Sequence, residues 1–229
     1  MHGTRIGQLD DGVPDAFWDR VSRQYNRQLW LERAAIRAAV ELLAPKLEDR
    51  VLDIGTGTGE VLRQLARGSS RPRQVRGLDT SAAMLARVPP LPAGWSVTVA
   101  DARALAFGAC EFDAATACYL LHVLTAADRL IVLAELRRVL RPGGHLAVVT
   151  PALAPRGWAR PVAWLLDRLA AHCPSRYGGL RALDPRPALQ QAGFEILETR
   201  WSTRGYVSIC VLARRPEQPA ATGPIRGCA

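Results

Sequence analysis

A short apolar run that breaks into a glycine-rich turn constrains the fold of this chain more than any other feature. The run spans Arg50 to Ile54, the turn is Gly55-Thr56-Gly57-Thr58-Gly59, and residues 60–66 carry apolar residues at helical spacing. Glycine lets the backbone turn sharply after a strand, and the start of a helix presents unpaired N–H groups. The segment therefore predicts a strand, a ligand-binding turn and a helix.

The same alternation of strand and helix recurs along the chain. Further strands are predicted at residues 74–78, 96–100, 112–117 and 145–150, with helices at residues 81–87 and 126–140. Thr80 is the expected N-cap of the first of these helices, and Pro142-Gly143-Gly144 is the expected end of the second. After a helix at 187–192, strands at 194–201 and 207–214 predict an antiparallel C-terminal hairpin. The predicted fold class is α/β, a doubly wound, seven-stranded, mostly parallel sheet with helices on both faces.

The segments outside the sheet are predicted from spacing and composition. Apolar residues at helical spacing predict an N-terminal helical arm over residues 15–45, closed by Pro45. The Trp-bearing segment 152–182 interrupts the strand–helix alternation and predicts a helical lid or substrate insertion. Residues 215–229, rich in Pro, Gly and small residues, predict a disordered tail. At this length, a single domain is expected over residues 1–214.

Composition and charge limit the expected partners and compartment. The net charge is +9, but Lys46 is the only lysine and the arginines are spread without a dense run, so no nucleic-acid partner is expected. The five cysteines show neither a close pair nor metal-binding spacing, which predicts reduced, mostly buried thiols, no metal and a cytoplasmic location. No apolar run reaches transmembrane length, and the first residues lack the pattern of a targeting segment.

The turn at residues 55–59 also fits a nicotinamide or flavin site, but two acids argue against that alternative. A dinucleotide fingerprint has Gly or Ala at its sixth position, whereas this chain has Glu60, whose carboxylate would repel phosphates. Asp53, two residues before the first glycine, would stabilise an ammonium or sulfonium group. Asp79 and Asp101 end the next two strands, where acids can bind a ribose and an adenine amino group. The sequence therefore predicts a nucleoside ligand that is cationic at one end.

Several segments also occur in the order found in a known family, namely residues 51–59, 77–85, 100–102, 112–114 and 140–146, with residues 17–25 as an N-terminal arm. They resemble the class I S-adenosylmethionine-dependent methyltransferases, in particular the methyltransferase type 11 group that includes ubiquinone and menaquinone biosynthesis enzymes. The resemblance covers nearly the whole chain, about residues 15 to 214. It implies a Rossmann-like fold, S-adenosyl-L-methionine as cofactor and S-adenosyl-L-homocysteine as product.

The resemblance also implies a set of cofactor-binding residues. These are Tyr25, Asp53, Gly55, Gly57, Asp79, Thr80, Met84, Asp101, Ala102 and Cys118. Those beside the first strand would line the methionine end, Asp79 would bind the ribose, and Met84 with residues 101–102 would hold the adenine. Tyr25 would close over the methionine part, and Cys118 would lie near the reacting methyl group.

Tyr119 and His122, which follow the fourth strand, are the candidates for catalysis. Their three-residue separation places both on one side of a helical turn. His122 could act as a general base near neutral pH, or it could be a hydrogen-bonded structural histidine.

Three functions remain open at this point. The first is methyl transfer to a small-molecule acceptor, which could be quinone-like, a lipid amine or a secondary metabolite, by a monomer or homodimer. The second is a phospholipid-amine N-methyltransferase with peripheral membrane contact, since arginines and tryptophans in residues 156–181 suit an interfacial helix. The third is a non-catalytic regulatory protein that binds S-adenosylmethionine without turnover.

Overall fold

The computed structural model describes residues 29–68, 70–153 and 181–217, and the statements that follow concern these residues. Tyr25, the first half of the predicted arm, residues 154–180 of the predicted insertion and residues 218–229 of the predicted tail lie outside them.

Helices and strands alternate along the described ranges largely as the sequence predicts. The helices are α1 Leu29–Leu43, α2 Glu60–Arg67, α3 Ala82–Leu85, α4 Ala126–Val139 and α5 Arg186–Gln191, with a 3₁₀ turn at Leu121–Val123. The strands are β1 Arg50–Ile54, β2 Gln74–Asp79, β3 Trp95–Val99, β4 Phe112–Cys118, β5 Leu140–Pro151, β6 Glu195–Ser202 and β7 Ser208–Arg214.

All seven strands form one sheet in the order β3-β2-β1-β4-β5-β7-β6. The first five strands pair in parallel, and β7 is antiparallel to both β5 and β6. This confirms the predicted mostly parallel sheet with an antiparallel C-terminal hairpin. The chain turns from β3 back past β1 to β4, so the carboxyl ends of β1 and β4 flank the crevice where open α/β sheets bind ligands.

Both faces of the sheet are covered, because its central strands present apolar side chains to each side in turn. On β1, Leu52 packs into the cluster that contains the apolar face of α4, whereas Val51 packs against α1 and α2. On β5, Val148 and Val149 divide between the same two clusters. Such alternation between two apolar layers is typical of a parallel sheet buried on both faces.

Helix α1 is fixed to the C-terminal hairpin by hydrogen bonds that its backbone carbonyls accept. The N–H of Tyr206 donates to the carbonyl of Leu31 at 3.0 Å, and the thiol of Cys210 donates to the carbonyl of Ala35 at 3.4 Å. A side chain at Gly205 would collide with the Leu31 carbonyl, and the φ of Gly205 is 86°. The hairpin turn therefore needs glycine where it meets the first turn of α1.

Two predicted boundaries are wrong. Helix α3 covers only Ala82–Leu85, and its N-cap is Ser81, whose hydroxyl accepts from the Met84 N–H at 3.1 Å, not Thr80. Helix α4 ends at Val139, before Pro142-Gly143-Gly144, and those three residues belong to β5. Gly143, whose φ is 76°, and Gly144 exchange backbone hydrogen bonds of 2.9 Å with Arg215, so the irregular first part of β5 pairs with the residue that follows β7.

The prediction that every cysteine is reduced is wrong at Cys110, which is disulfide-bonded, whereas Cys118 and Cys210 are free and buried. No helix in the described ranges is both long enough and apolar enough to cross a membrane. The same ranges hold no group of three or more His, Cys, Asp or Glu residues arranged to bind a metal ion.

Candidate active site

A pocket of about 150 Å³ opens at the carboxyl ends of β1 to β4. It brings together most of the residues that the sequence predicts, namely Gly55, Gly57, Asp79, Thr80, Met84, Asp101, Ala102, Cys118 and Tyr119. These residues come from four strand ends that are far apart in the sequence. The pocket therefore lies where the parallel strands of this fold converge.

The glycine turn is tied to the end of β2 through Asp79. One carboxylate oxygen of Asp79 accepts from the N–H of Gly57 at 2.8 Å, and the other accepts from the N–H of Ser81 at 2.9 Å. Gly57 has a φ of 54°, and a side chain there would meet nothing nearer than a backbone oxygen 4.0 Å away. The turn thus presents bare backbone to open space, which lets a ligand approach closely.

Asp53 lies beneath the pocket and does not line it. Its side chain is completely buried, and one oxygen accepts from the hydroxyl of Thr116 at 2.7 Å. The other oxygen has no hydrogen-bond partner among the described residues. Burial raises the pKa of Asp53 from 3.8 to about 7; the hydrogen bond from Thr116 opposes the rise and the charge of Asp79 adds to it. Removal from water disfavours the charged carboxylate, and an incoming cation would restore it.

Glu60 does not repel ligands at the turn, as its position in the sequence predicted. Its carboxylate is 3% exposed and forms ion pairs with Arg33 of α1 at 3.4 Å and with Arg63 at 3.1 Å. It also accepts from Gln64 at 2.8 Å, and it does not line the pocket. Glu60 therefore joins α1 to α2. Because its charge is paired away from the pocket, it does not argue against a phosphate-containing ligand there.

Asp101 lies at the outer end of the pocket, bound to an arginine that sequence reasoning missed. Its carboxylate accepts from the guanidinium of Arg103 at 2.8 Å, and these hydrogen bonds lower the pKa of Asp101. Arg103 also lies 3.3 Å from Asp128 of α4, and both residues line the pocket. The carboxylate remains 41% exposed, so an adenine amino group would have to share it with Arg103.

The remaining walls are largely apolar. Met84, 2% exposed, lies beside Leu78 on one side, and the opposite wall comes from the segment after β4 and from α4. Sequence reasoning missed this second group, which is Leu120, Val123, Leu124 and Val132. Two patterns in the sequence could have indicated this wall. One is the apolar run at residues 120–124 directly after a strand end, and the other is the four-residue spacing that places Asp128 and Val132 on one face of a helix.

Tyr119 forms the wall next to β4 and has an unusual backbone. Its φ is 55°, a left-handed conformation that is uncommon for a residue with a side chain. Its N–H donates to Val149 at 2.8 Å, and its hydroxyl lies 2.8 Å from that of Ser208 at the start of β7. Burial and then the charge of Glu32 raise the pKa of Tyr119, with the Ser208 hydrogen bond opposing them. Tyr119 is therefore protonated at neutral pH.

His122 lies beside Tyr119, as the spacing predicts, but it does not line the pocket. The two rings meet edge to face, with centroids 6.1 Å apart, and His122 is 3% exposed. Cys118 does line the pocket, and burial raises the pKa of its thiol well above the usual value. A catalytic role for His122 or Tyr119 and a contact from Tyr25 stay predictions.

The geometry suits a nucleoside with a cationic end. A bare glycine backbone and two acids lie on the side of β1 to β3, and an apolar wall faces them. A buried carboxylate beneath the turn has an oxygen without a partner in the described ranges.

Comparison with known proteins gives a family. A sequence family described as "Methyltransferase domain" matches residues 51–144, which include the glycine turn, Asp79 and Asp101. The chain is 30% identical over 223 residues to the ubiquinone/menaquinone biosynthesis C-methyltransferase UbiE of Syntrophotalea carbinolica, covering 84% of this chain and 90% of that one. It is also 34% identical over 137 residues to the demethylmenaquinone methyltransferase of Thermotoga maritima, where the match spans only 58% of each chain.

Solved structures share the same fold. The [4+2]-cyclase SpnF superposes with a TM-score of 0.67 and 19% identity, covering 91% of this chain and all of that one. At this identity the likeness shows the fold alone, which is the Rossmann-like α/β architecture. The relative from Syntrophotalea carbinolica is similar over nearly its full length, and that similarity decides the family. The chain belongs to the class I S-adenosylmethionine-dependent methyltransferases, with S-adenosylmethionine as its cofactor.

Proposed function

We propose that the chain transfers the methyl group of S-adenosylmethionine to a small-molecule acceptor at the pocket above β1 and β4. The observation that carries this proposal is the Gly57–Asp79 hydrogen bond, which holds open backbone beside an acid at the end of β2, where a ribose would bind. The buried Asp53 supports it, because its unsatisfied oxygen lies below the turn where a cationic methionine end would fall.

The pocket residues orient the cofactor along the sheet. Residues 101–102 and Met84 hold the adenine at the β3 side, and Asp79 holds the ribose. The methionine end then lies over Gly55, with the sulfonium beside Cys118 and Tyr119. Bound S-adenosylmethionine supplies an already activated methyl group, so the residues of the chain act mainly by aligning the reactants and excluding water.

Tyr119 serves as a fixed wall in this proposal and does not act as a base. Its hydroxyl is held by Ser208, and its pKa is raised by burial and by the charge of Glu32. A protonated phenol can donate a hydrogen bond or contact the acceptor, but it cannot remove a proton near neutral pH. Acceptors that need a base would have to use His122 or solvent.

We propose a lipophilic, quinone-like aromatic acceptor. The apolar wall of Leu120, Val123 and Leu124 supports this class, since such side chains bind a ring better than a charged group. The names of the two curated relatives, which refer to ubiquinone and menaquinone, point the same way.

The test is formation of S-adenosylhomocysteine from methyl-labelled S-adenosylmethionine. The full chain is incubated with a demethylated naphthoquinol, phosphatidylethanolamine vesicles or a simple phenol, and labelled products are identified by mass spectrometry. Label in the naphthoquinol supports the proposal, whereas label only in the phospholipid supports an N-methyltransferase. Tight cofactor binding without product from any acceptor would show a binding protein and refute methyl transfer.

We further propose that the protein acts in the cytoplasm, as a monomer or homodimer. The free thiol of Cys118 at the pocket supports a reducing compartment, although the Cys110 disulfide argues the other way. Cell fractionation and light scattering of the purified chain test these two points.

A further inference from the structure

Arg103 joins the two walls of the pocket at its outer end. On the β3 side, its guanidinium donates to the carboxylate of Asp101 through Nε at 3.0 Å and through Nη2 at 2.8 Å. On the other side, its Nη1 lies 3.3 Å from a carboxylate oxygen of Asp128, in the first turn of α4. All three residues line the pocket. The guanidinium therefore spans from the loop after β3 to the helix that contributes to the opposite wall.

Asp128 is held in position by its own helix. The carboxylate oxygen that does not face Arg103 accepts from the hydroxyl of Thr125 at 3.0 Å. Thr125 is the N-cap of α4, and its hydroxyl accepts from the N–H of Asp128 at 3.0 Å. Leu124 and Val132, which lie four residues to either side of Asp128, belong to the apolar wall. The helix end therefore presents one oxygen of Asp128 to Arg103 at the edge of that wall.

The loop after β3 is attached to α4 at a second place, outside the pocket. The guanidinium of Arg138 donates to the carbonyls of Leu105 at 2.9 Å and Phe107 at 2.8 Å. The carboxylate of Glu135 accepts from the N–H of Leu105 at 2.8 Å. None of these four residues lines the pocket. The loop thus stays attached to the helix when the contact between Arg103 and Asp128 breaks.

The three charged side chains lie at the rim of the pocket. Those of Arg103, Asp101 and Asp128 are between 26% and 43% exposed, whereas Met84 and Val132 in the walls are 2% and 1% exposed. An ion pair that faces water changes an equilibrium by no more than about fivefold. The pair can therefore break and re-form while the rest of the fold stays intact.

We propose that the Arg103–Asp128 ion pair is a strap across the rim of the pocket, which opens for the cofactor to enter or leave and so limits the rate of exchange. This inference rests on the cofactor orientation given under the proposed function, in which the adenine lies beside residues 101–102. An adenine in that position lies between the two walls that Arg103 joins. Because Asp101 keeps the guanidinium on the β3 side, the strap can close again after the ligand has passed.

A different role for Asp128 would be to stabilise α4, because an acid in the first turn interacts favourably with the helix dipole. The two roles differ in what they affect. A helix-stabilising acid changes the free energy of unfolding, and its replacement has the same effect with or without Arg103. A strap changes the association and dissociation rate constants of the ligand together, and Asp128 then matters only while Arg103 is present.

The experiment measures both rate constants for S-adenosylhomocysteine by surface plasmon resonance on the immobilised full chain. Asp128→Asn and Arg103→Gln each remove one charge of the strap, and the double variant completes a thermodynamic cycle. Glu111→Gln is the matched control. The Glu111–Arg50 ion pair is similarly exposed, at 27% and 45%, but it lies at the amino ends of β4 and β1, outside the pocket. Urea unfolding of each variant reports stability separately.

Asp128→Asn is expected to raise both rate constants about threefold and to change the dissociation constant by less than about twofold. In the Arg103→Gln background the same substitution should have no further effect, and Glu111→Gln should alter neither rate constant. Raising NaCl to about 1 M should accelerate exchange more in the unaltered chain than in Asp128→Asn, because salt screens exposed charges.

Three results would overturn the strap and leave methyl transfer intact. These are unchanged rate constants in Asp128→Asn, faster dissociation without faster association, and an equal effect of Asp128→Asn with and without Arg103. The last of them would assign Asp128 to the stability of its helix. Failure of the unaltered chain to bind S-adenosylhomocysteine would instead refute the proposed function on which the strap rests.

Discussion

The phenolic oxygen of Tyr119 lies 2.8 Å from the hydroxyl of Ser208, which is 89 residues further along the chain. The contact spans from the end of β4 to the start of β7 across the intervening β5. It holds the Tyr119 ring against the pocket, although the backbone of that residue is left-handed.

Removing either partner should therefore loosen this wall. Tyr119→Phe and Ser208→Ala are each expected to lower the free energy of unfolding by about 1 kcal/mol, the usual net value of a hydrogen bond. The double variant should cost less than the sum, because both single changes remove the same contact. Urea unfolding of the four proteins measures this, with Tyr206→Phe as control; strictly additive losses would show that the hydroxyls do not stabilise one another.

Asp53 predicts an unusual pH dependence of stability. Because its pKa is raised from 3.8 to about 7 in the folded protein, the folded state retains a proton that the unfolded state has released. This contribution is fully present below pH 3.8 and is lost as the pH rises through about 7, amounting to about 4 kcal/mol over the whole range.

Asp53→Asn should remove that dependence. The variant is expected to be more stable than the unaltered protein at pH 8 without ligand, since it no longer buries a charge. Its affinity for S-adenosylmethionine should nevertheless fall. Unfolding curves at several pH values between 4 and 8 provide the check, and a stability difference that does not vary with pH would show that Asp53 titrates normally.

Gly57→Ala should separate ligand binding from folding. The new methyl group meets no atom nearer than 4.0 Å, so only the left-handed backbone is penalised, by about 1 kcal/mol. It does protrude into the space that the cofactor would occupy, and we expect S-adenosylmethionine to bind at least about tenfold more weakly.

Gly205→Ala is the matched comparison with the opposite result. Its methyl group would collide with the Leu31 carbonyl, so we expect a loss of more than about 2 kcal/mol in stability. Thermal unfolding with and without ligand distinguishes the two. Weak folding but normal binding in Gly57→Ala would contradict the placement of the cofactor over the turn.

Asp79 and Asp101, at the ends of neighbouring strands, should contribute unequally to the affinity for S-adenosylmethionine. Both carboxylate oxygens of Asp79 accept backbone N–H groups, and Asp79→Asn replaces one of them with an amide nitrogen that cannot accept a hydrogen bond. The turn should therefore distort, and the affinity for S-adenosylmethionine should fall at least about tenfold. Asp101→Asn should cost less than about threefold, because that carboxylate is already shared with Arg103. Calorimetric titration decides, and equal losses would mean that Asp101 contacts the ligand as directly as Asp79.

Most of the fold was predictable because each strand and helix carries its own apolar pattern. Strand β1 begins and ends where its apolar run does, and the sheet class follows from the alternation. The errors arise where distant contacts override composition. Ser81 and Thr80 are both good capping residues, and the hydrogen bond from Ser81 N–H to Asp79 selects between them. The glycines at 143 and 144 fall within β5 because Arg215 pairs with both of them.

The site was predictable where its residues follow strand ends and not where they depend on burial or on the ends of the chain. Asp53 and Glu60 were both singled out by charge, but one lies beneath the pocket and the other pairs with Arg33. Ser208 belongs to no local motif. It contacts the pocket residue Tyr119 only because β7 lies beside β5 in the sheet, a pairing that no local pattern in the sequence reports.

The docking of α1 on β7 also determines when the chain can finish folding during its synthesis. The contact between Cys210 and Ala35 joins residues 175 positions apart, so α1 leaves the ribosome long before the strand that covers it exists. Until then its apolar face, including Ile36 and Ala39, has only part of its final cover. Closing so long a loop is slow, and the nascent chain therefore stays exposed to aggregation and to chaperones until β7 has appeared.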